Sequence, residues 1–436
     1  VTARGQIAAE ASLDAYRPGV DGPFGEAEAA HLLRRTSFGG TLAERRQIVE
    51  LGPARAAIDR TSPPENESDY ARVLEALAPL ASTDTLEISQ SIWLTRMLRD
   101  PRPFRELLTL FWHGHFATSV SKVGRTRLLV RQVDMLRESG QGRFGDIVTS
   151  VSRDPAMIVW LDGNANRRHH PNENYARELM ELFMLGVGNY AESDVLEAAR
   201  AFTGWHEHNG RYRFNTHEHD DGAKSVLGRT GSLGGEDVIA ACLEQPACGR
   251  FVGGKLFRFF VHPDPDNALL EVIGRRYRES GHDTLALIRM LVGSRVFYSA
   301  QARRSIVMSP VMLAIGAARC LSLRPDATEL ANRLTGLGQS LYAPPSVKGW
   351  DGGRSWLNAA TLIGRVNLAA ELARRAASQP VEELFGPDRG HYVTALNHTL
   401  LDGAAPATLL DTLRRDELDL PTCLRVMLSL PEAQLA

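Results

Sequence analysis

Apolar residues in this 436-residue chain recur at three- and four-residue spacing in one segment after another, the period that gathers them on one face of an α-helix. The spacing predicts helices over 27–35, 72–80, 87–98, 104–112, 125–137, 174–185, 195–202, 237–243, 249–260, 285–292, 309–321, 359–376 and 418–428. Ser309-Pro310 has the form of an N-cap followed by proline at the first helical position, and Pro155 and Pro171 mark starts or breaks. No series of alternating strand segments is present; the best strand candidate is a short hairpin around Gly210 that includes Arg211-Tyr212-Arg213-Phe214. The expected fold class is mostly α, a large multi-helix single-chain assembly with little β. Residues 1–436 read as one helical domain with no internal boundary and no repeat of solenoid period. Residues 61–69 read as a surface loop, and the glycine-rich stretches 222–235 and 349–353 as ordered loops or turns.

Charge narrows the function classes. Fifty Lys and Arg stand against 52 Asp and Glu, a formal charge of −2, which argues against nucleic acid as a partner because counterion release needs a basic surface. The most apolar stretch, 311–321, is interrupted by Arg319 and falls well short of the roughly 20 residues that span a bilayer. Residues 1–16 contain one early Arg and no apolar run, so no secretory signal is visible. Cys242, Cys248, Cys320 and Cys423 form neither a disulfide framework nor a CxxC site. Cys242 and Cys248 are close enough in sequence to pair, but buried free thiols are expected, in keeping with a reducing compartment. The expected location is cytoplasmic, or exported if a leader has been removed. Of the 50 basic residues only Lys122, Lys224, Lys255 and Lys348 are lysine, so each lysine is conspicuous in an arginine-rich chain.

The histidines are concentrated. Eight of the thirteen lie between residues 113 and 219, in the pairs His113/His115, His169/His170, His206/His208 and His217/His219. Imidazole is the commonest transition-metal ligand and transfers protons near neutrality. In Phe111-Trp112-His113-Gly114-His115-Phe116, Gly114 reads as a helix C-terminal breaker, and the two histidines reach a common centre only if the helix unwinds there. In the segment from His169 to Phe183, Asn172 is a good N-cap, and Glu173, Arg177 and Glu181 follow at the spacing of a surface salt-bridge ladder. Glu178 and Glu181, one turn apart, are alternatively carboxylate ligands, although the Glu-x-x-His pattern of di-iron bundles is missing. From His217 to Lys224, acids, imidazoles and a rare lysine crowd a loop with little apolar content. His219-Asp220 has the composition of the HD pair of helical phosphohydrolases but is not expected on a helix. Trp350 and Trp356, in the glycine-rich segment after Lys348, have faces suited to stacking on a sugar or another planar ligand, or to packing. There is no Walker loop, no Rossmann fingerprint, no HExxH and no GxSxG.

Several blocks in consistent order resemble the bacterial domain-of-unknown-function 1800 family. They are Ala30-His31-Leu32-Leu33-Arg34-Arg35-Thr36-Ser37-Phe38-Gly39, then Trp93 with the Phe111–Phe116 block, then Asn172 through Phe183. Ala198-Ala199-Arg200-Ala201-Phe202-Thr203-Gly204-Trp205, His219-Asp220-Asp221-Gly222-Ala223-Lys224, Gly254-Lys255-Leu256-Phe257, Lys348-Gly349-Trp350-Asp351-Gly352-Gly353 and Ser429-Leu430-Pro431-Glu432 complete the series. The resemblance spans essentially the whole chain and implies no activity, since the family's own is unassigned; its members often look exported. It marks positions: His113, His115, Asn172, Glu173, Arg177, Glu178, Asp220, Lys224, Lys348 and Trp350 all fall inside these motifs.

Three functional expectations follow. The favoured one is a metal-dependent oxidoreductase, with iron or copper held by His113, His115, Glu173, Glu178, His217 and His219; zinc or manganese are the other candidate ions. In it Asp220 handles a proton, Lys224 stabilises a developing anion and Arg177 assists, while Lys348, Trp350 and Asn172 contact a small-molecule, glycan or peptide substrate. The second is a metallohydrolase of phosphoesters or glycans, in which Arg177, Lys224 and Lys348 clamp an anion. The third is a binding or assembly protein without catalysis, its Trp- and Gly-rich blocks forming a recognition surface.

Overall fold

A computed structural model describes residues 3–63, 68–81, 83–377, 389–415 and 418–436. The described chain is helical nearly throughout, with β structure confined to two two-stranded antiparallel hairpins and a few isolated bridges. One hairpin is the expected one, Trp205–His208 paired with Arg211–Phe214 around Gly210. The other, Lys224–Val226 with Arg229–Gly231, forms where a loop is expected; three-residue strands are too short for alternation to register.

Every predicted helix has a counterpart. Ser309 caps Pro310–Cys320, its Oγ accepting the Met312 N–H at 3.3 Å with Pro310 in the first turn. Asp154 does the same for Pro155–Trp160, Oδ1 accepting the Met157 N–H at 3.1 Å. Further helices, Leu42–Thr61, Phe144–Ser152, Asn267–Glu279 and Ala327–Gly336, were not expected from periodicity. Leu42–Thr61 is two helical pieces joined at Gly52, which sits at φ +72° before Pro53, and this kink breaks the apolar period. Residues 64–67 of the expected 61–69 loop lie outside the described residues; Thr61 ends one helix and Ser68 begins the next. No described helix is long and apolar enough to cross a membrane.

The apolar core runs from Ala9 to Ala436. At its centre lies the Phe104–His115 helix, on which nearly every residue is buried. Its internal Glu106 carboxylate is held by Trp93 Nε1 at 2.8 Å and Arg137 Nε at 2.7 Å, so a buried acid has both donors it needs. The Pro246–Phe260 helix packs against Asn267–Glu279 so closely that a Cβ on Gly249 would lie 2.4 Å from the Gly274 carbonyl. That approach fixes the helix carrying Lys255. Cys242 and Cys248 are buried and unbridged.

Candidate functional site

The Phe104–His115 helix does not stop at Gly114. It runs on to His115, and the cap Phe116 N–H donates to the Trp112 carbonyl. The unwinding that a shared centre requires is absent, and two residues of α-helix separate His113 and His115 by about 200° around the axis. His113 sits among Trp93, Tyr342 and Trp350, with ring centroids at 5.4, 5.9 and 5.6 Å. Its Nε2 accepts the Tyr342 N–H at 3.1 Å, and burial lowers its pKa to about 3, so it is neutral. His115 faces Phe116 and Phe183, with ring centroids at 4.5 and 6.1 Å.

The helix Asn174–Glu178 continues into a π-helical turn, Leu179–Met184. Both the Leu185 and Gly186 N–H groups fold back to the Met180 carbonyl, so the Leu182 and Phe183 carbonyls receive no backbone donor. Side chains from elsewhere take their place. His115 Nε2–H donates to Phe183 O at 3.0 Å, and Lys255 Nζ donates to Leu182 O at 3.0 Å. A carbonyl only accepts, so His115 carries its proton on Nε2 and presents the Nδ1 lone pair. Lys255 Nζ lies 3.2 Å from that Nδ1 and 4.7 Å from the centroid of the Phe251 ring. Burial, and then the Arg258 charge, lower the Lys255 pKa to about 8. Burial, with the Lys255 charge added, holds His115 far below the ordinary histidine value.

Lys255 and His115 form part of the wall of a cleft of about 350 Å³ that also takes in Arg258, Lys348, Trp350 and Trp356. The loop that closes it, from Lys348 to Trp356, is seated by Gly349 at φ +79°, where a Cβ would lie 2.3 Å from the Gly114 carbonyl. Glycine at 349 lets the loop backbone rest directly on the helix. Three cations and one carboxylate, Asp351, line the cleft, with Phe111, Phe259, Met312 and the two tryptophans as its apolar walls. A larger apolar hollow of about 460 Å³ beside Leu362 and Ile363 has Arg365 as its one charged lining residue. That guanidinium is committed to Gln434 Oε1 at 2.9 Å and the Met308 carbonyl at 2.8 Å.

The remaining sequence candidates do not line the cleft. Arg177 bridges Glu173 at 2.8 Å and also pairs with Glu192, a partly exposed ladder of the kind its spacing suggests. Asn172 Oδ1 accepts the Asn174 N–H at 2.9 Å, as a cap does. Glu178 is raised in pKa by burial and by Glu181, with Arg177 and Lys348 acting against the rise. In the 217–224 loop, Asp220 is ion-paired with Arg200 at 2.8 Å, which holds its pKa to about 2. Lys224 is buried, Nζ donating to the Asp220 and Gly222 carbonyls, the latter at 3.0 Å. His219 Nδ1 pairs with the Thr203 carbonyl at 2.8 Å, and His217 is exposed. Asp220, Lys224 and His219 thus spend their polar atoms on holding the loop.

Over residues 31–435 the chain matches the family described as "Protein of unknown function (DUF1800)". It belongs to the DUF1800 family. No curated protein and no solved structure matches it. The matched span contains every cleft residue named above. Among the described residues of this DUF1800 protein, no group of three or more His, Cys, Asp or Glu is arranged to hold a metal ion. The six expected ligands are dispersed: His113 and His115 on opposite sides of one helix, Glu173 in a salt-bridge ladder, Glu178 near Lys348, and His217 and His219 on a separate loop. Of the expected substrate contacts, Lys348 and Trp350 reach the cleft and Asn172 does not. Lys255 and Arg258 are the members that no motif argument assigned a role; the scarcity of lysine was the available signal for the first.

Proposed function

We propose that this protein binds and acts on a small organic anion with an apolar or planar part, in the cleft between His115, Lys255, Lys348 and Trp350. The observation that carries this is the imbalance of charge in a partly apolar cleft: Lys255, Arg258 and Lys348 face it against Asp351 alone. Few convergent polar groups on an apolar wall is the usual make-up of a small-molecule site. Cations in such a site gain strength from the lowered local dielectric. Trp350 and Trp356 add faces for a ring or an apolar chain.

The test is a thermal-shift titration with phenylacetate and its neutral isostere phenylacetamide. Phenylacetate should raise Tm and the amide should not, and the rise should shrink in Lys348→Ala and Arg258→Ala, both at exposed positions. Equal effects of acid and amide, or none from either, overturn the proposal. Iron- or copper-dependent oxidoreduction is a separate proposal that rests on the histidine clustering in the sequence. Metal analysis of protein purified without chelators tests it, and a stoichiometric metal lost in His113→Ala would support it.

A further inference from the structure

Lys255 is set up differently from the other three lysines. Lys122 is paired with Asp162 at 2.8 Å, Lys224 is sealed against two carbonyls, and Lys348 stands exposed at the cleft mouth. Lys255 is half-buried, lines the cleft, and has no carboxylate in ion-pair contact among the described residues. Its two polar partners, Leu182 O at 3.0 Å and His115 Nδ1 at 3.2 Å, are both acceptors belonging to the wall. An amine nitrogen is tetrahedral. When Lys255 is neutral, its two hydrogens are taken by these acceptors and its lone pair is left for the remaining directions, which include the cleft. A half-buried lysine without a counter-ion and beside a second cation gives up its proton more readily than a free one, and so reaches that neutral amine.

We propose that Lys255 is a nucleophilic amine that forms an imine with the carbonyl group of an oxo-carboxylate bound in this cleft, a step that deepens the anion-site proposal and rests on it. The cations Arg258 and Lys348 hold the carboxylate, and the aromatic walls hold the rest of the ligand. The Lys255 nitrogen attacks the carbonyl carbon, forming the C–N bond while the carbonyl π pair moves to oxygen. One amine hydrogen passes to that oxygen, with His115 Nδ1 as the adjacent proton acceptor. The C–O bond then breaks, and the second amine hydrogen leaves with the oxygen as water, giving C=N. Nothing is oxidised or reduced. His115 is here a positioning and proton-relay group fixed by the Phe183 carbonyl.

Phenylpyruvate, which combines the carboxylate, the carbonyl and a ring, is the probe. The 436-residue chain is incubated with it and sodium cyanoborohydride across pH 6–10, digested, and the four lysine peptides are compared by mass. The expected result is reductive alkylation concentrated on the Lys255 peptide, with a rate that rises through about pH 8 as the ammonium loses its proton. His115→Gln should move that rise to a different pH without abolishing labelling, which a purely structural role of His115 would not do. Labelling equal to that of exposed Lys348, or none at Lys255, while phenylacetate and phenylpyruvate still raise Tm, overturns the imine and leaves the anion site standing. If neither acid raises Tm, the anion site falls with it. The labelling is read on the unmodified sequence, so it does not depend on any variant folding.

Discussion

Asp402 sits in the interior with three arginines around it: Arg34, Arg304 at 2.9 Å and Arg45 at 3.4 Å. Burial pushes its pKa up, but Arg34, Arg304 and Arg45 together outweigh that and hold it below the ordinary 3.8. Replacing Asp402 with Asn leaves three guanidiniums without an anion, and the expected cost is about 3–5 kcal/mol, read as a lower urea midpoint. Because the folded pKa is depressed, this contribution is complete above pH 3.8 and is lost as pH falls towards the folded value. Gly349→Ala is expected to cost at least about 1–2 kcal/mol for the left-handed backbone alone, and more because the new Cβ meets the Gly114 carbonyl. Thermal unfolding measures that cost, and the same variant should lose the phenylacetate shift because the loop can no longer rest on the helix. At this scale the sequence was only partly legible. Lys348 and Trp350 were identifiable from a glycine- and tryptophan-rich block, whereas Asp220 and Lys224 looked reactive and are bound up with Arg200 and backbone carbonyls. Residue type shows what a group is able to do; its hydrogen-bond partners show what is left for it to do.

Among the elements, the π turn Leu179–Met184 is the one that assembles the cleft, because it frees the two carbonyls that Lys255 and His115 take up. The apolar period predicted a helix over 174–185 and could not distinguish an α turn from a π turn, since Leu179, Leu182 and Phe183 face inward in either. A prediction follows for the lysine that the turn holds. Its pKa is lowered from 10.5 to about 8, so between those values the unfolded chain binds a proton that the folded one has shed, and the lysine's contribution to stability rises with pH across that window. Buried Cys242, Cys248 and several tyrosines, whose pKa values burial raises, act in the opposite sense over this range, so the lysine is read as a difference: between pH 8 and 10 the urea midpoint of the wild type should gain on that of Lys255→Met. Helix ends were legible where a cap residue or a first-turn proline announces them, as at Ser309 and Pro155. They were not legible at Gly52-Pro53, where two short pieces share one segment. Gly114 misled because the helix runs straight through it to His115, its carbonyl being the surface against which Gly349 packs.

For the molecule as a whole, the interior carries neutral histidines. His31 and His115 are held far below the ordinary 6.5, His113 at about 3 and His282 at about 4, with burial the leading cause in each. In the unfolded chain all four take up protons below pH 6.5, which favours unfolding. Asp154 and Asp100, raised by burial to about 7 and about 6, act in the opposite sense because the fold keeps their protons. Four histidines against two acids leave the unfolded state ahead by roughly two protons, so stability should fall by about 2–3 kcal/mol per pH unit from pH 6 to 4.5. Urea midpoints at pH 7, 5.5 and 4.5 measure this, and a flat profile would contradict the burial of these rings. From the sequence alone follow the helical class, the positions of most helices, the Gly210 hairpin and the family, because periodicity, caps and motif order are local properties that survive without a fold. Only the tertiary structure decided which rare residues meet. His115 and Lys255 are 140 positions apart, and Lys255 and Leu182 are 73 apart. The contact between them depends on how three helices pack, and spacing along a chain reports which face a residue occupies but not which other face it will meet.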